Sequence, residues 1–310
     1  MTADRAVVAR EVRARYPGTL ALDGLSVDVA VGEVVGLIGP DGAGKTTFLR
    51  ILAGARQIDG GTVTVFGRDL VREWRLLREL RGYVAQGFAL YGDLTVGENL
   101  AFVATAYGAP AAPESPWGRA LLDFCGLTPF RDRLADHLSG GMKKKLAIAC
   151  GAIHRPRLLI LDEPTAGVDP VSRRDIWRAL YRARDEGITI VVASAYLDEA
   201  ERFDRVALLA AGRALAFGSP SALRSAYPYH LREVVLRDRS VPSLREARDQ
   251  IARDRAIAGV QLFGDRLHVA GYTPESVSAA LERLGESVTT DRSEPIVPTI
   301  EDVFLASRTL

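Results

Sequence analysis

The sequence predicts an α/β protein followed by a smaller α+β unit, and three observations carry that prediction. From Val7 to about Tyr227, short β-branched runs alternate with longer amphipathic ones, the pattern of strands and helices taken in turn. A glycine-rich turn, GPDGAGKT, separates one apolar run from a helical stretch. After Tyr227 the spacing of apolar residues changes, which divides the chain into a first domain over 1–227 and a second over 228–310.

In the first domain the strands are expected at 26–31, 34–38, 62–65, 158–161, 188–193 and 205–209, each a short run rich in Val, Ile and Leu. Between 87 and 137 the strand signal fades, so this stretch reads as a mostly helical insertion with GAPAAPESP as a loop between helices. In the second domain REVVLRD reads as a strand, and Leu244, Ala247 and Ile251 mark a helix face. VQLFGDRLHVA alternates around Gly264-Asp265 as a hairpin, and Val277, Ala280, Leu281 and Leu284 mark a second helix. A last strand near 287–290 completes a ferredoxin-like split βαβ. The tail PTIEDVFLA places Thr299 three residues before Asp302, the spacing of a capping box.

Composition narrows the partners. With 310 residues and a net charge of +1 there is material for one large core and a small one, and no electrostatic argument for a polyanion, so no nucleic-acid partner is expected. Cys125 and Cys150 have neither metal-site nor disulfide spacing and read as small core residues in a reducing compartment. The start, MTADRAVVAREVRAR, is charged and lacks the apolar stretch of a signal peptide, and no apolar run approaches the ~20 residues of a membrane span. A cytoplasmic protein is the expectation.

GLIGPDGAGKTTFLRILAG matches G-x-x-x-x-G-K-[ST] at Gly39 to Thr46, between an expected strand and an expected helix at 46–53. Gly39, Pro40, Asp41, Gly42, Ala43 and Gly44 form a loop whose backbone N–H groups can turn inward around a polyphosphate such as that of ATP. Lys45 then reaches the β and γ phosphates, the Thr46 hydroxyl ligates Mg²⁺, and the helix that carries Thr46 and Thr47 adds its positive end. RLLILDEP is an apolar strand ending in two carboxylates: Asp162 suits the Mg²⁺ shell, and Glu163 can take a proton from an attacking water.

Together with these two motifs, LSGGM at 138–142 resembles the signature of the nucleotide-binding subunit of ATP-binding cassette (ABC) transporters, where the last residue is normally Gln. The resemblance covers about residues 7–227, with five motifs in family order, and implies a P-loop NTPase cassette with a helical subdomain at about 87–155. It further implies that Ser139, Gly140 and Gly141, opening a helix at 142–153, face the γ-phosphate bound by a second cassette. Gln86 resembles the glutamine that senses Mg²⁺ and the attacking water while moving against the transmembrane partner, Tyr16 the aromatic ring stacked on adenine, and Asp169 the aspartate linking two active sites across a dimer. Read alone, SGG is a turn, Gln86 an exposed residue, Tyr16 a core residue and Asp169 a turn residue before Pro170. Lys143, Lys144 and Lys145 point in three directions around a helix, the pattern of a solvated face.

Besides Met142, two positions depart from the family pattern. The family has a histidine after the strand that follows the carboxylate pair; SAYLDEAE places Ala195 there, and none of His137, His154, His230 and His268 is near in sequence. Glu163 remains, so the expected defect is slow hydrolysis with ATP binding retained: either a second cassette supplies an intact site, or the chain homodimerises and turns over slowly. Asp41 stands where the family commonly has Asn.

The second domain, ending in PTIEDVFLA, resembles the C-terminal extension of the daunorubicin- and multidrug-resistance exporter ATPases. That implies an ATPase peripheral on the inner face of the membrane, working through a separate transmembrane permease. A nonhydrolytic ATP-dependent clamp is the alternative: Ala195 favours it and Glu163 opposes it.

Overall fold

The structure, a computed structural model, describes residues 5–87, 89–284 and 289–307, the side chain of Leu284 excepted. It divides into two compact units, Met1–Pro220 and Ser221–Leu310.

The first unit opens with β1 (Arg5–Tyr16) and β2 (Thr19–Ala30), followed by β3 (Val34–Ile38) and α1 (Lys45–Leu52). Next come β4 (Gly60–Val65), β5 (Arg68–Asp69) and β6 (Arg81–Val84). The helical stretch holds α2 (Val96–Ala106), α3 (Pro116–Phe124) and α4 (Gly140–Ala152). Then β7 (Leu158–Asp162), α5 (Pro170–Asp185), β8 (Thr189–Ser194), β9 (Arg205–Ala210) and β10 (Arg213–Gly218) complete the series; α6 (Pro220–Ser225) starts at the last residue of this unit and otherwise belongs to the second.

Two sheets result. One is antiparallel, in the order β2-β1-β4-β5; the other has the order β10-β9-β3-β8-β7-β6, parallel except for β10 at its edge. Their shared core surrounds α1, with Leu22, Leu25, Leu37, Phe48, Leu52 and Ile160 among its members. Strands β3, β7 and β8 are buried at every residue, which is why they read as unbroken apolar runs.

The long strand β1 was absent from the sequence-based expectation, and its geometry explains why. Val7 and Ala9 are buried, then Val12 and Ala14. The period-2 alternation is broken by a register shift between Ala9 and Val12, where Glu11 takes a φ of 50°. Exposed Arg10, Arg13 and Arg15 complete the disguise.

In the parallel sheet the carboxyl ends of four strands, β3, β8, β7 and β6, lie level: Ile38 pairs with Ser194, Asp162 with Ala193 and Val84 with Leu161. Open α/β sheets bind ligands outside such ends. Here these ends carry the glycine loop, the carboxylate pair, SAY and Gln86.

The second unit comprises β11 (His230–Leu236), α7 (Val241–Ile251), β12 (Ile257–Phe263), β13 (Arg266–Gly271), α8 (Ser276–Leu284), β14 (Thr290–Pro295) and α9 (Ile300–Ser307). Its antiparallel sheet has the order β12-β13-β11-β14, with Val234, Leu267 and Val269 packed on Leu244, Ile251 and Val277 of the helices. The last strand starts at Thr290, three residues later than expected, and Ser287 and Val288 lie outside the described residues. Thr299 and Asp302 exchange both capping-box bonds at the start of α9. The other oxygen of Asp302 meets His268 Nδ1 at 2.9 Å, tying α9 to the sheet.

Candidate active site at the carboxyl ends of the parallel strands

The glycine loop leaves β3 at Gly39 and turns through Pro40, Asp41 and Gly42, all three exposed, before Ala43 and Gly44 bring it back into the core. Ala43 N donates to Pro40 O (3.2 Å), closing the turn. Gly44 adopts a φ of 100°, and a Cβ there would lie 2.5 Å from Ala21 O, so neither the conformation nor the space admits a side chain. Lys45 is only 4% exposed and curls back into the loop, donating to Gly39 O (2.6 Å) and Pro40 O (3.0 Å). Burial pushes its pKa down, opposed by the charges of Glu163, Asp41 and Asp162. Asp41 therefore acts on the lysine electrostatically although its own side chain is exposed.

Behind the loop, Thr46 Oγ1 donates to Asp162 Oδ1 at 3.0 Å. Burial raises the pKa of Asp162 above the ordinary carboxylate value, partly offset by this bond and by Arg50, Lys45 and Lys144. A hydroxyl and a carboxylate already in contact are the hard oxygen pair that Mg²⁺ takes from a protein while keeping its other positions for water and phosphate. Among the described residues no group of three or more His, Cys, Asp or Glu could hold a metal by itself. The donor set thus fits Mg²⁺ shared with a polyphosphate.

Glu163 follows with a φ of 50°, in the left-handed region that a non-glycine residue occupies only under constraint. Its carboxylate Oε2 accepts from Gln86 Nε2 at 2.9 Å, across from the loop after β6. Gln86, Thr46, Asp162 and Glu163 thus converge near Lys45.

Ser139, Gly140, Gly141 and Asp169 form a second constellation at two helix starts. Ser139 caps α4, its hydroxyl accepting from Met142 N (3.3 Å), and Asp169 caps α5, accepting from Val171 N and Ser172 N (2.9 Å each). The Ser172 hydroxyl, then the backbone N–H groups, hold the Asp169 carboxyl below its usual pKa. A Cβ on Gly141 would lie 2.4 Å from Ser172 Oγ, so glycine is what lets the two caps sit together. Ser139, Gly140 and Asp169 are exposed.

Tyr16 ends β1 beside Thr47 and Arg50, close to the start of α1. One face of its ring carries the Arg56 guanidinium, 3.9 Å from the centroid.

The lysine triplet does not form a solvated face. Lys143 pairs with Asp136 and Lys145 with Asp175, both at 3.5 Å. Lys144 is 5% exposed and donates to the main-chain oxygens of Gln86 (2.8 Å) and Glu163 (3.2 Å). The reason is that α4 packs on α2, α5, β6 and β7, which leaves little of its circumference to water. No pattern in the sequence marks Lys144, because periodicity gives a direction and not what stands there.

At the end of β8, Ser194 Oγ donates to Glu199 Oε2 (2.7 Å) and accepts from Tyr196 N (3.0 Å), and Trp177 Nε1 donates to Glu199 Oε1 (3.2 Å). Ala195 presents an exposed methyl between them. Tyr196 lies under the Arg173 guanidinium, 4.6 Å from the ring centroid. His154 stacks on Tyr107 with a ring nitrogen 3.1 Å from Arg81 O, and His268 belongs to the second unit.

The family model for ABC transporters matches residues 22–166. The probable multidrug ABC transporter ATP-binding protein YbhF of Escherichia coli is 42% identical over 71% of this chain, which spans only 38% of that protein's length. The daunorubicin/doxorubicin resistance ATP-binding protein DrrA of Streptomyces peucetius is 39% identical, over 72% of this chain and 68% of its own. The Nod factor export ATP-binding protein I of Burkholderia orbicola is 37% identical over 82% and 84%. Among solved structures, an ATP-binding subunit of an ABC transporter is similar with a TM-score of 0.64 and 29% identity, over 72% of this chain and 93% of that one. The ADP conformation of the cassette MJ1267 gives 0.62 and 25%, over 69% and 91%. The chain therefore belongs to the ATP-binding subunits of the ABC transporter family.

Proposed function

We propose that this chain binds and hydrolyses ATP to energise export through a separate transmembrane permease, as the weaker half of an asymmetric pair of cassettes. The observation that carries the reading is the convergence of two bonded pairs, Thr46–Asp162 and Gln86–Glu163, behind the glycine loop. In this reading the loop N–H groups and Lys45 hold the triphosphate, with the lysine exchanging its two carbonyl partners for phosphate oxygens. Thr46, Asp162 and Gln86 would hold Mg²⁺, which when bound would supply positive charge to the phosphates. Glu163 takes the proton of the attacking water. Adenine stacks on Tyr16, from whose face Arg56 either withdraws or completes a sandwich. Ser139, Gly140 and Gly141 cap the nucleotide of the opposite cassette, with Asp169 beside them linking the two sites.

A groove of about 130 Å³ is lined by residues on either side of Gln86, Tyr83, Ala85 and Ala89 among them, together with Val103, Tyr107 and Cys150. Its continuity with the glutamine loop makes it the seat we assign to the permease, so that docking and the position of Gln86 are coupled. No helix among the described residues is long and apolar enough to cross a membrane, which suits a cytoplasmic subunit held peripherally on the inner face. Near-zero net charge supports a reading without nucleic acid. The names of the relatives, multidrug, daunorubicin resistance and Nod factor export, favour an exporter. The second unit is an accessory domain. A nonhydrolytic clamp is the second reading, favoured by the exposed methyl of Ala195 where an imidazole is missing.

Calorimetric titration tests the site: ATP with Mg²⁺ should bind the purified chain, and Lys45→Ala should weaken binding about 10²-fold, the loss of a buried charged donor. A wild type that takes up no nucleotide, or a variant that binds as well as wild type, would falsify the proposal.

A further inference from the structure

We propose that Lys144 is a positioning residue, setting Glu163 and Gln86 relative to each other and tying both to the helix that begins at Ser139; the inference rests on the reading of Glu163 as the general base. Four observations support it. The ammonium is buried and donates to two main-chain oxygens from different elements, Gln86 O after β6 and Glu163 O after β7, at 2.8 and 3.2 Å. The side chains of the same two residues are bonded to each other at 2.9 Å, so Lys144 closes a ring through their main chains and side chains.

Glu163 also holds a left-handed backbone conformation, which persists only where its surroundings over-determine it. Its N–H donates to Ala193 O (3.0 Å), and its carbonyl accepts from Ala166 N (3.2 Å) and from Lys144. Among these the lysine bond is the one supplied by α4. Lastly, Lys144 stands five residues from Ser139, about 7.5 Å along a helix at its usual rise. A shift of α4 when Ser139 meets a nucleotide on another cassette reaches the two carbonyls through a stiff element. Turnover is then sensitive to whether the signature helix is engaged, by contacts that lie within one chain.

The test compares Lys144→Met and Lys144→Arg with wild type in the full chain, measuring ATP affinity by titration and steady-state kcat and KM with Mg²⁺. Methionine keeps the buried stem and removes the donor, and small misplacements of catalytic groups cost up to about 10²-fold. The expected result for Lys144→Met is a kcat lower by roughly 10- to 100-fold, with KM and ATP affinity within about threefold of wild type. Lys144→Arg, which can donate to both carbonyls, should recover most of kcat. Retained nucleotide affinity in Lys144→Met shows that the phosphate site is folded. Three results overturn the inference: unchanged kcat in Lys144→Met, a loss shared equally by kcat and affinity, or Arg as slow as Met. A wild type that binds ATP without ever hydrolysing it overturns the general-base reading first, and this inference with it.

Discussion

Strands β7 and β8 lie side by side in parallel, paired from Leu158↔Thr189 to Asp162↔Ala193, and both are buried throughout. Their exits from the sheet differ. After β7 the polar groups reach toward other elements: Asp162 to Thr46 on α1, Glu163 to Gln86 and Lys144. After β8 they turn inward. Ser194 is bonded to Glu199, and Glu199, 1% exposed, also accepts from Trp177. Two adjacent strands with equal burial can thus be put to different uses by the residues at their ends, one tip joining the proposed reactive site and its neighbour closing a structural network around an exposed methyl.

Removing the proposed base is the sharpest way to break this comparison. Glu163→Gln should lower kcat by about 10²- to 10⁴-fold, the usual worth of a general base, while leaving ATP bound and trapping ATP-bound dimers on size exclusion. Normal hydrolysis by that variant would transfer the chemistry elsewhere and leave the two tips without distinct roles. Ala195→His sharpens the comparison from the other side. The methyl is exposed, so an imidazole can be accommodated without repacking the core. An imidazole that donates to a developing phosphate charge is worth more than the fraction recovered in an unadapted site, so we expect turnover to rise about tenfold. Rapid turnover of the wild type, untouched by this substitution, would show that the tip of β8 limits nothing.

The β7 tip was legible in the sequence for a physical reason. A strand buried on both faces has no polar residue until it leaves the core, so Asp162 and Glu163 stand out at the end of LLIL, and glycines at Gly42 and Gly44 announce a backbone with positive φ. The antiparallel sheet was less legible. Strand β1 hides its buried side behind a bulge and a row of arginines, and only its pairing with β2 and β4 reveals the alternation. Lys144 was misread outright, because three consecutive lysines describe directions around a helix and the packing of α4 decides which of them meets water. The vacancy at Ala195 was visible as a missing histidine. Its surroundings were not, since the link from Ser194 to Glu199 and Trp177 joins residues on three elements.

That network supplies the smallest effect and the cleanest separation of structure from chemistry. Ser194→Ala removes the donor to Glu199 and the acceptor for Tyr196 N, leaving the buried carboxylate with Trp177 at 3.2 Å and Arg173 at 3.9 Å. Losing one hydrogen bond to a buried charged group costs about 1.5 to 3 kcal/mol, which for a unit of this size lowers Tm by roughly 3 to 10 °C. Because the partners in this network are Glu199, Trp177 and Tyr196 rather than Lys45 or the carboxylate pair, kcat measured well below the transition should stay within about twofold of wild type. A kcat that falls with little change in Tm would mean that the end of β8 still orients a group in the reaction, and that the contrast with β7 is one of degree.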